Sequence, residues 1–124
     1  MQFARQTHSC GLAKDPIQQE AEVIVFSGSN GGLVTSTEIY NVADNTWRSG
    51  PPFLEDVNYL VTVQDGRNSF FAMGGYITAE NPDEYLDTIY RFDEDTQEFI
   101  LLDQRLPYGV RLPLGMMVHD KNVA

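Results

Sequence analysis

The chain is short of cations, thiols and imidazoles, and it has no long apolar run. Against 18 acidic residues it carries only 8 lysines and arginines, a formal net charge of -10 over 124 residues. A phosphate backbone needs a concentrated basic surface, so nucleic acid is excluded as a natural partner, and an anionic membrane surface is disfavoured by the same repulsion. Solubility is the plain consequence of that charge; an acidic docking face for a basic partner is the sharper one. The single cysteine, Cys10, has no partner for an internal disulfide, and a pairing with a cysteine outside this segment stays open. No stretch approaches the roughly 18 apolar residues of a membrane-spanning helix. The first 20 residues hold no signal-peptide core and the chain has no Asn-x-Ser/Thr site, which leaves the compartment open between cytoplasmic and secreted.

Reactive constellations are also missing. The glycine-rich run GSNGG at 28–32 lacks the Lys-Ser/Thr pair of a phosphate loop, and no helical pattern follows it. His8 and Cys10 share one face of a strand, but no second pair stands at metal-ligand spacing and His119 is remote. Asp93, Glu94 and Asp95 with Glu98 lack the glycine and register of a calcium loop, so they read as a solvated turn. No nucleophile stands beside an identifiable base. The expectation is a chain that is not an enzyme and needs no metal or cofactor.

What is present is apolar and aromatic: 42% hydrophobic and 11% aromatic residues fit a folded domain rather than a disordered segment. Short β-type runs stand at 22–27 (EVIVFS), 37–41 (TEIYN), 59–63 (YLVTV), 69–73 (SFFAM), 87–92 (DTIYRF) and 98–102 (EFILL). Val, Ile, Phe, Tyr and Thr dominate them, and glycine, proline, asparagine and aspartate separate them. No segment has helical periodicity, so the expected fold class is all-β.

The runs repeat. VFSG at 25–28 matches AMGG at 72–75 at an offset of 47, while Tyr40 and Trp47 match Phe92 and Phe99 at an offset of 52. The second unit therefore gains five residues in the loop after its glycines, within 77–86 (ITAENPDEYL). A third echo, LGMMVHD at 114–120, follows YLVTVQD at 59–65.

An apolar strand, then glycines, an aromatic, a turn and a second large aromatic resembles the kelch repeat, once in VIVFSG…IYNVADNTW and again in SFFAMGG…YRFDEDTQEF. The resemblance implies a partial β-propeller of about two four-stranded antiparallel blades whose ring is not closed. It divides the chain into a first repeat at about 5–52, a second at about 53–108 and the first strand of a third at about 111–120. The departures are Ser27 for the first glycine of the first pair and Phe99 for tryptophan. On this reading Gly28, Gly74 and Gly75 end the second strands, and Tyr40, Trp47, Phe92 and Phe99 fill the wedge between blades. Phe26, Phe70, Phe71, Val61 and Val63 join the core.

The function the resemblance implies is non-catalytic binding of a protein or peptide through inter-strand and inter-blade loops. The residues after the glycines, Ser29, Asn30, Tyr76 and Thr78, are the expected contacts. Arg5 and Arg111 match an arginine that often precedes a blade, but Asp56 interrupts any arginine ring for an acidic ligand. Glu80, Asp83 and Tyr85 in the longer loop form a further contact element. The competing expectation is a fragment of an enzymatic or carbohydrate-related propeller such as a copper radical oxidase scaffold. That scaffold needs histidine and tyrosine ligands with a cross-linked cysteine, and two histidines and one cysteine offer no matching set. The HSCG opening also resembles divergent invertebrate kelch proteins, some of them secreted. Because two blades leave apolar faces open, self-association to complete a ring is expected as well.

Overall fold

The computed structural model of the chain describes residues 1, 4–30, 34–53, 55, 57–66, 69–77 and 84–109, all of them strand, turn or irregular backbone. The first unit supplies β1 (Ser9–Lys14), β2 (Ala21–Phe26), β3 (Thr37–Asn41) and β4 (Thr46–Gly50). They pair in chain order as one antiparallel sheet. In the second unit β5 (Val61–Asp65) and β6 (Ser69–Met73) are followed by a hairpin of two-residue strands, β7 (Tyr76–Ile77) and β8 (Glu84–Tyr85). Then β9 (Thr88–Asp93) and β10 (Glu98–Arg105) complete a second four-stranded sheet, β5-β6-β9-β10. The two sheets are not closed into a ring.

The period-2 alternation of each strand decides which side chains meet. Ile24 and Phe26 of β2 and Ile39 of β3 face the second sheet, which answers with Phe70, Ala72, Tyr90, Phe92 and Phe99. Phe53, from the connection between sheets, enters the same cluster. Phe70 stacks on Phe92 at 5.1 Å between ring centroids and 6° between planes, and Phe26 touches Phe99 at 4.8 Å and Phe53 at 5.1 Å. Edge-to-face and stacked rings at such distances gain from their quadrupoles beyond simple burial.

Two positions expected in the core are placed differently. Phe26, Phe70 and Val63 are buried, but Phe71 and Val61 are only half-buried. Val61, Val63 and Phe71 share the outer face of the second sheet, where Val63 pairs directly with Phe71, so alternation puts all three outside the aromatic cluster.

Side chains tie the inner strands together where no backbone ladder runs. Gln64 in β5 donates from Nε2 to the Leu12 carbonyl at 2.8 Å and accepts from the Leu12 N–H at 3.1 Å. Thr62 donates to the Cys10 carbonyl at 2.7 Å, and Ser9 donates to the Leu60 carbonyl at 3.0 Å. Gly11 lies between these contacts. A Cβ there would fall under 3.0 Å from three carbons of the Phe70 ring.

The repeat is also written in the backbone. Every described residue with positive φ has a counterpart in the other unit: Thr7 (57°) with Tyr59 (58°), Gln19 (60°) with Gly66 (71°), Ser27 (65°) with Gly74 (73°), Gly28 (96°) with Gly75 (97°) and Asn45 (55°) with Gln97 (56°). The offset is 52 for the first and last pairs and 47 for the three between. The longer loop of the second unit is thus matched by a longer β1–β2 turn, residues 15–20, in the first.

That turn and the β9–β10 turn are closed by aspartates. Asp15 accepts from the Gln18 and Ile17 N–H groups at 2.9 and 2.7 Å, and Asp93 from those of Thr96 and Asp95 at 3.0 and 2.9 Å. These bonds, foremost those from Gln18 and Thr96, hold both carboxyls below the ordinary value of 3.8. A depressed folded pKa gives stability that is complete above the unfolded value and is lost as pH falls through the folded one. Thermal stability should therefore be level above about pH 5 and decline on acidification. The Asp15→Asn, Asp93→Asn double variant should show a shallower acid-side decline in melting temperature, and an unchanged slope would remove these turns as its cause.

Candidate functional site

The topology gathers one set of connecting residues at one end of the sheets: 4–8 before β1, 27–30 and 34–36 between β2 and β3, 51–53 and 57–60 between β4 and β5, and 74–77 and 84–87 between β6 and β9. Each unit closes this end with the same isolated bridge. Gln6 and Ser29 exchange N–H···O bonds of 2.9 and 2.9 Å, and Asn58 and Tyr76 exchange bonds of 3.0 and 2.9 Å. Next to each bridge sits the left-handed pair, Ser27–Gly28 or Gly74–Gly75. A Cβ on Gly28 would stand 2.6 Å from the Gln6 carbonyl oxygen. One on Gly75 would lie under 3.0 Å from Val57 Cγ1 and 2.9 Å from the Asn58 carbonyl oxygen. Ser27 accepts its left-handed backbone while donating its hydroxyl to the buried Val57 carbonyl.

Arg5, Ser29 and Asn30 come together around a depression of about 330 Å³ that Ala4 and Gln6 also line. The Arg5 guanidinium is buried there and holds the first sheet together. It donates to the carbonyls of Ser27 at 3.2 Å and Ser36 at 2.8 Å and to the Glu38 carboxylate at 2.9 Å, with both side chains almost wholly excluded from solvent. The counterpart of Glu38 in the second unit is Tyr90, whose hydroxyl donates to Glu55. Burial first, then the bond to Glu55 and its charge, pushes the Tyr90 phenol well above its usual range, so it stays protonated at neutral pH and offers no phenolate nucleophile.

Tyr76 and Tyr85 belong to a row of rings. Tyr59, Tyr76 and Tyr85 follow one another at centroid distances of 6.1 and 6.1 Å, with interplanar angles of 46° and 47°. The hairpin β7–β8 sets the second spacing by pairing Tyr76 directly with Tyr85, which is 44% exposed. Tyr59 is the member that sequence reasoning missed. Its signal was the aromatic at the end of the segment linking the units, four residues before the end of the expected strand at 59–63. The left-handed φ of 58° places Tyr59 in the loop instead.

Of the aromatics aligned by the repeat, Phe92 and Phe99 are buried between the sheets, whereas Tyr40 and Trp47 are half-buried on the outer face of the first sheet. The Tyr40 and Trp47 rings meet at 5.0 Å. Thr78, Glu80, Asp83 and Arg111, with Asp56 and the strand expected at 111–120, lie outside the described residues. Among the described residues no group of three or more His, Cys, Asp or Glu side chains is placed to hold a metal ion, and no helix is long and apolar enough to cross a membrane.

These features define a class: two repeated, blade-like antiparallel sheets stacked through an aromatic wedge, with no third sheet on either outer face among the described residues and with bridges gathered at one end. No protein-family profile matches the chain. Over 87 residues, 64% of the chain, it is 31% identical to Kelch-like protein 40 of Mus musculus. The chain spans 14% of the length of that relative.

Proposed function

We propose that the chain is a stretch of kelch-type β-propeller, with repeats at about 5–52 and 53–108 and the start of a third at about 111–120, acting as a non-catalytic module that binds a protein or peptide. The similarity to a kelch-like protein and the repeated sheets support the kelch reading. The observation that carries the binding reading is the tyrosine row Tyr59–Tyr76–Tyr85 on the loop end. Three amphipathic rings in sequence present wide apolar area at low conformational cost. Thr78, Glu80 and Asp83 belong to the same connection in sequence, and the net charge of -10 favours a basic or neutral partner over an acidic one. Arg5 serves this site indirectly, by fixing the start of β3 and the end of β2 beside Ser29 and Asn30.

A displayed peptide library selected on the immobilised chain tests the reading. Tyr85→Ala, combined with neutralisation of Glu80 and Asp83, should weaken the selected peptides at least about tenfold, in the range expected of an interface anchor. The melting temperature should stay unchanged, since Tyr85 is exposed. Unaltered affinity in that variant would remove the loop from the binding surface.

A further inference from the structure

The interface inside the chain has two unlike sides. The first sheet presents Ile24, Phe26 and Ile39, and the second answers with Phe70, Phe92 and Phe99. The backbone repeat allows each side to be carried to the other unit, by 47 residues on the second strand and 52 on the third and fourth. The counterparts of Phe70, Phe92 and Phe99 are then Val23, Tyr40 and Trp47, half-buried on the outer face of the first sheet. The counterparts of Ile24, Phe26 and Ile39 are Phe71, Met73 and Arg91, half-buried on the outer face of the second. The molecule therefore carries, on two faces that no described residue covers, both halves of the junction it already makes internally.

The shapes and chemistry agree with that pairing. The outer face of the second sheet holds an apolar hollow of about 360 Å³ lined by Phe71, Met73, Ile89, Leu102 and Gln104. Inside the chain Phe99 meets Phe26 at 4.8 Å, so the same arrangement between copies brings Trp47 to Met73, at the hollow. Arg91, standing where the first sheet has Ile39, would lie over the paired rings of Tyr40 and Trp47. A guanidinium on aromatic faces is attractive and suits arginine better than lysine.

We infer that copies of this chain associate head to tail, the Tyr40–Trp47 face of one seated on the Phe71–Leu102 hollow of the next. Unlike faces meet, so the assembly is heterologous and grows into a ring or a stack rather than a two-fold dimer. The polar clamp of the internal junction has no copy here, because Leu12 and Cys10 are the counterparts of Gln64 and Thr62. The association between copies is correspondingly weaker than the internal one and depends on concentration. The inference rests on the repeat geometry and is independent of the loop-end binding site.

Light scattering behind a sizing column, over a dilution series, gives the first readout. The emission of Trp47, the sole tryptophan, gives the second. With concentration the mass should rise in whole multiples of the chain and the emission should shift to the blue as Trp47 is covered. Trp47→Lys and Leu102→Lys each block one face, and each should stay at the mass of one chain with unchanged circular dichroism. Mixed in equal amounts, the two variants retain one good face apiece and should form a dimer that grows no further. A wild-type mass of one chain at every concentration would overturn the inference. So would growth that persists equally in both variants, or a mixture that stays monomeric while the wild type associates.

Discussion

Gly75→Ala should remove a large share of the chain's stability, although it adds one methyl group. Its φ of 97° is a backbone state that costs an L-residue about 1–2 kcal/mol. The new Cβ would also overlap Val57 Cγ1 and the Asn58 carbonyl oxygen, with Leu60 at 3.2 Å behind them. Neither obstacle yields easily. Val57 is 2% exposed, and the Asn58 carbonyl accepts the Tyr76 N–H of the bridge that closes the loop end. Overpacking of this kind costs about 1–3 kcal/mol, so the total is about 2–5 kcal/mol from a typical reserve of about 5–15. Gly66→Ala is the matched control: its φ is 71° with nothing within 4 Å of the added methyl. It should cost only the backbone part, about 1–2 kcal/mol. Equal losses from the two substitutions, read from urea midpoints, would show that the crowding against Val57 is not felt.

Phe70→Ala should be as costly, by a different route. The ring is completely buried, stacks on Phe92 and lies 5.9 Å from Phe26 across the junction of the sheets. Emptying such a site costs about 3–5 kcal/mol, because the lost apolar contact and the cavity left behind add. Gly11→Ala attacks the same contact from the other side by pressing a methyl into the Phe70 ring, for about 1–3 kcal/mol. The two substitutions share one space, so the double variant should be less unstable than their summed effects by about 1 kcal/mol or more. Additivity within about 0.5 kcal/mol would mean that Gly11 and Phe70 do not meet.

Gly11 also shows where sequence patterning stops. β2, β3, β6, β9 and β10 were legible because branched and aromatic residues alternate along them. β1 (SCGLAK) was not among the clear runs, because its inward positions are Ser9, Gly11 and Ala13. Their smallness reflects the close approach of Phe70, a residue 59 positions away, and no local scale registers that. β4 (TWRSG) escaped for the opposite reason: it is short, mostly exposed and polar apart from Trp47. The five-residue gain after the glycines of the second unit was legible from the offsets. Its counterpart in the β1–β2 turn was not, because β1, with Ser9, Gly11 and Ala13 inward, carries no pattern that matches β5.

The loop end was legible in outline only. Position after the glycines pointed to Ser29, Asn30 and Tyr76; the repeated bridges hold Ser29 and Tyr76 at one end, and Asn30 follows Ser29. The partners of Arg5 stand 22 to 33 residues along the chain, so its burial against Ser27, Ser36 and Glu38 had no local signature. The tyrosine row likewise needs the β7–β8 hairpin to bring Tyr85 beside Tyr76, and only the folded backbone supplies that pairing.

The Gln64 clamp has a consequence beyond joining the sheets. β1 is an edge strand, and an edge strand normally offers its outward N–H and C=O groups to any stray chain, the usual seed of intermolecular β-aggregation. Here the carboxamide of Gln64 occupies both outward groups of Leu12, and the Thr62 hydroxyl occupies the Cys10 carbonyl. Two side chains thus act as a false strand. They cap the edge without extending the ladder, and the Leu12 amide, though it has no backbone partner, is shielded from exchange with solvent deuterium.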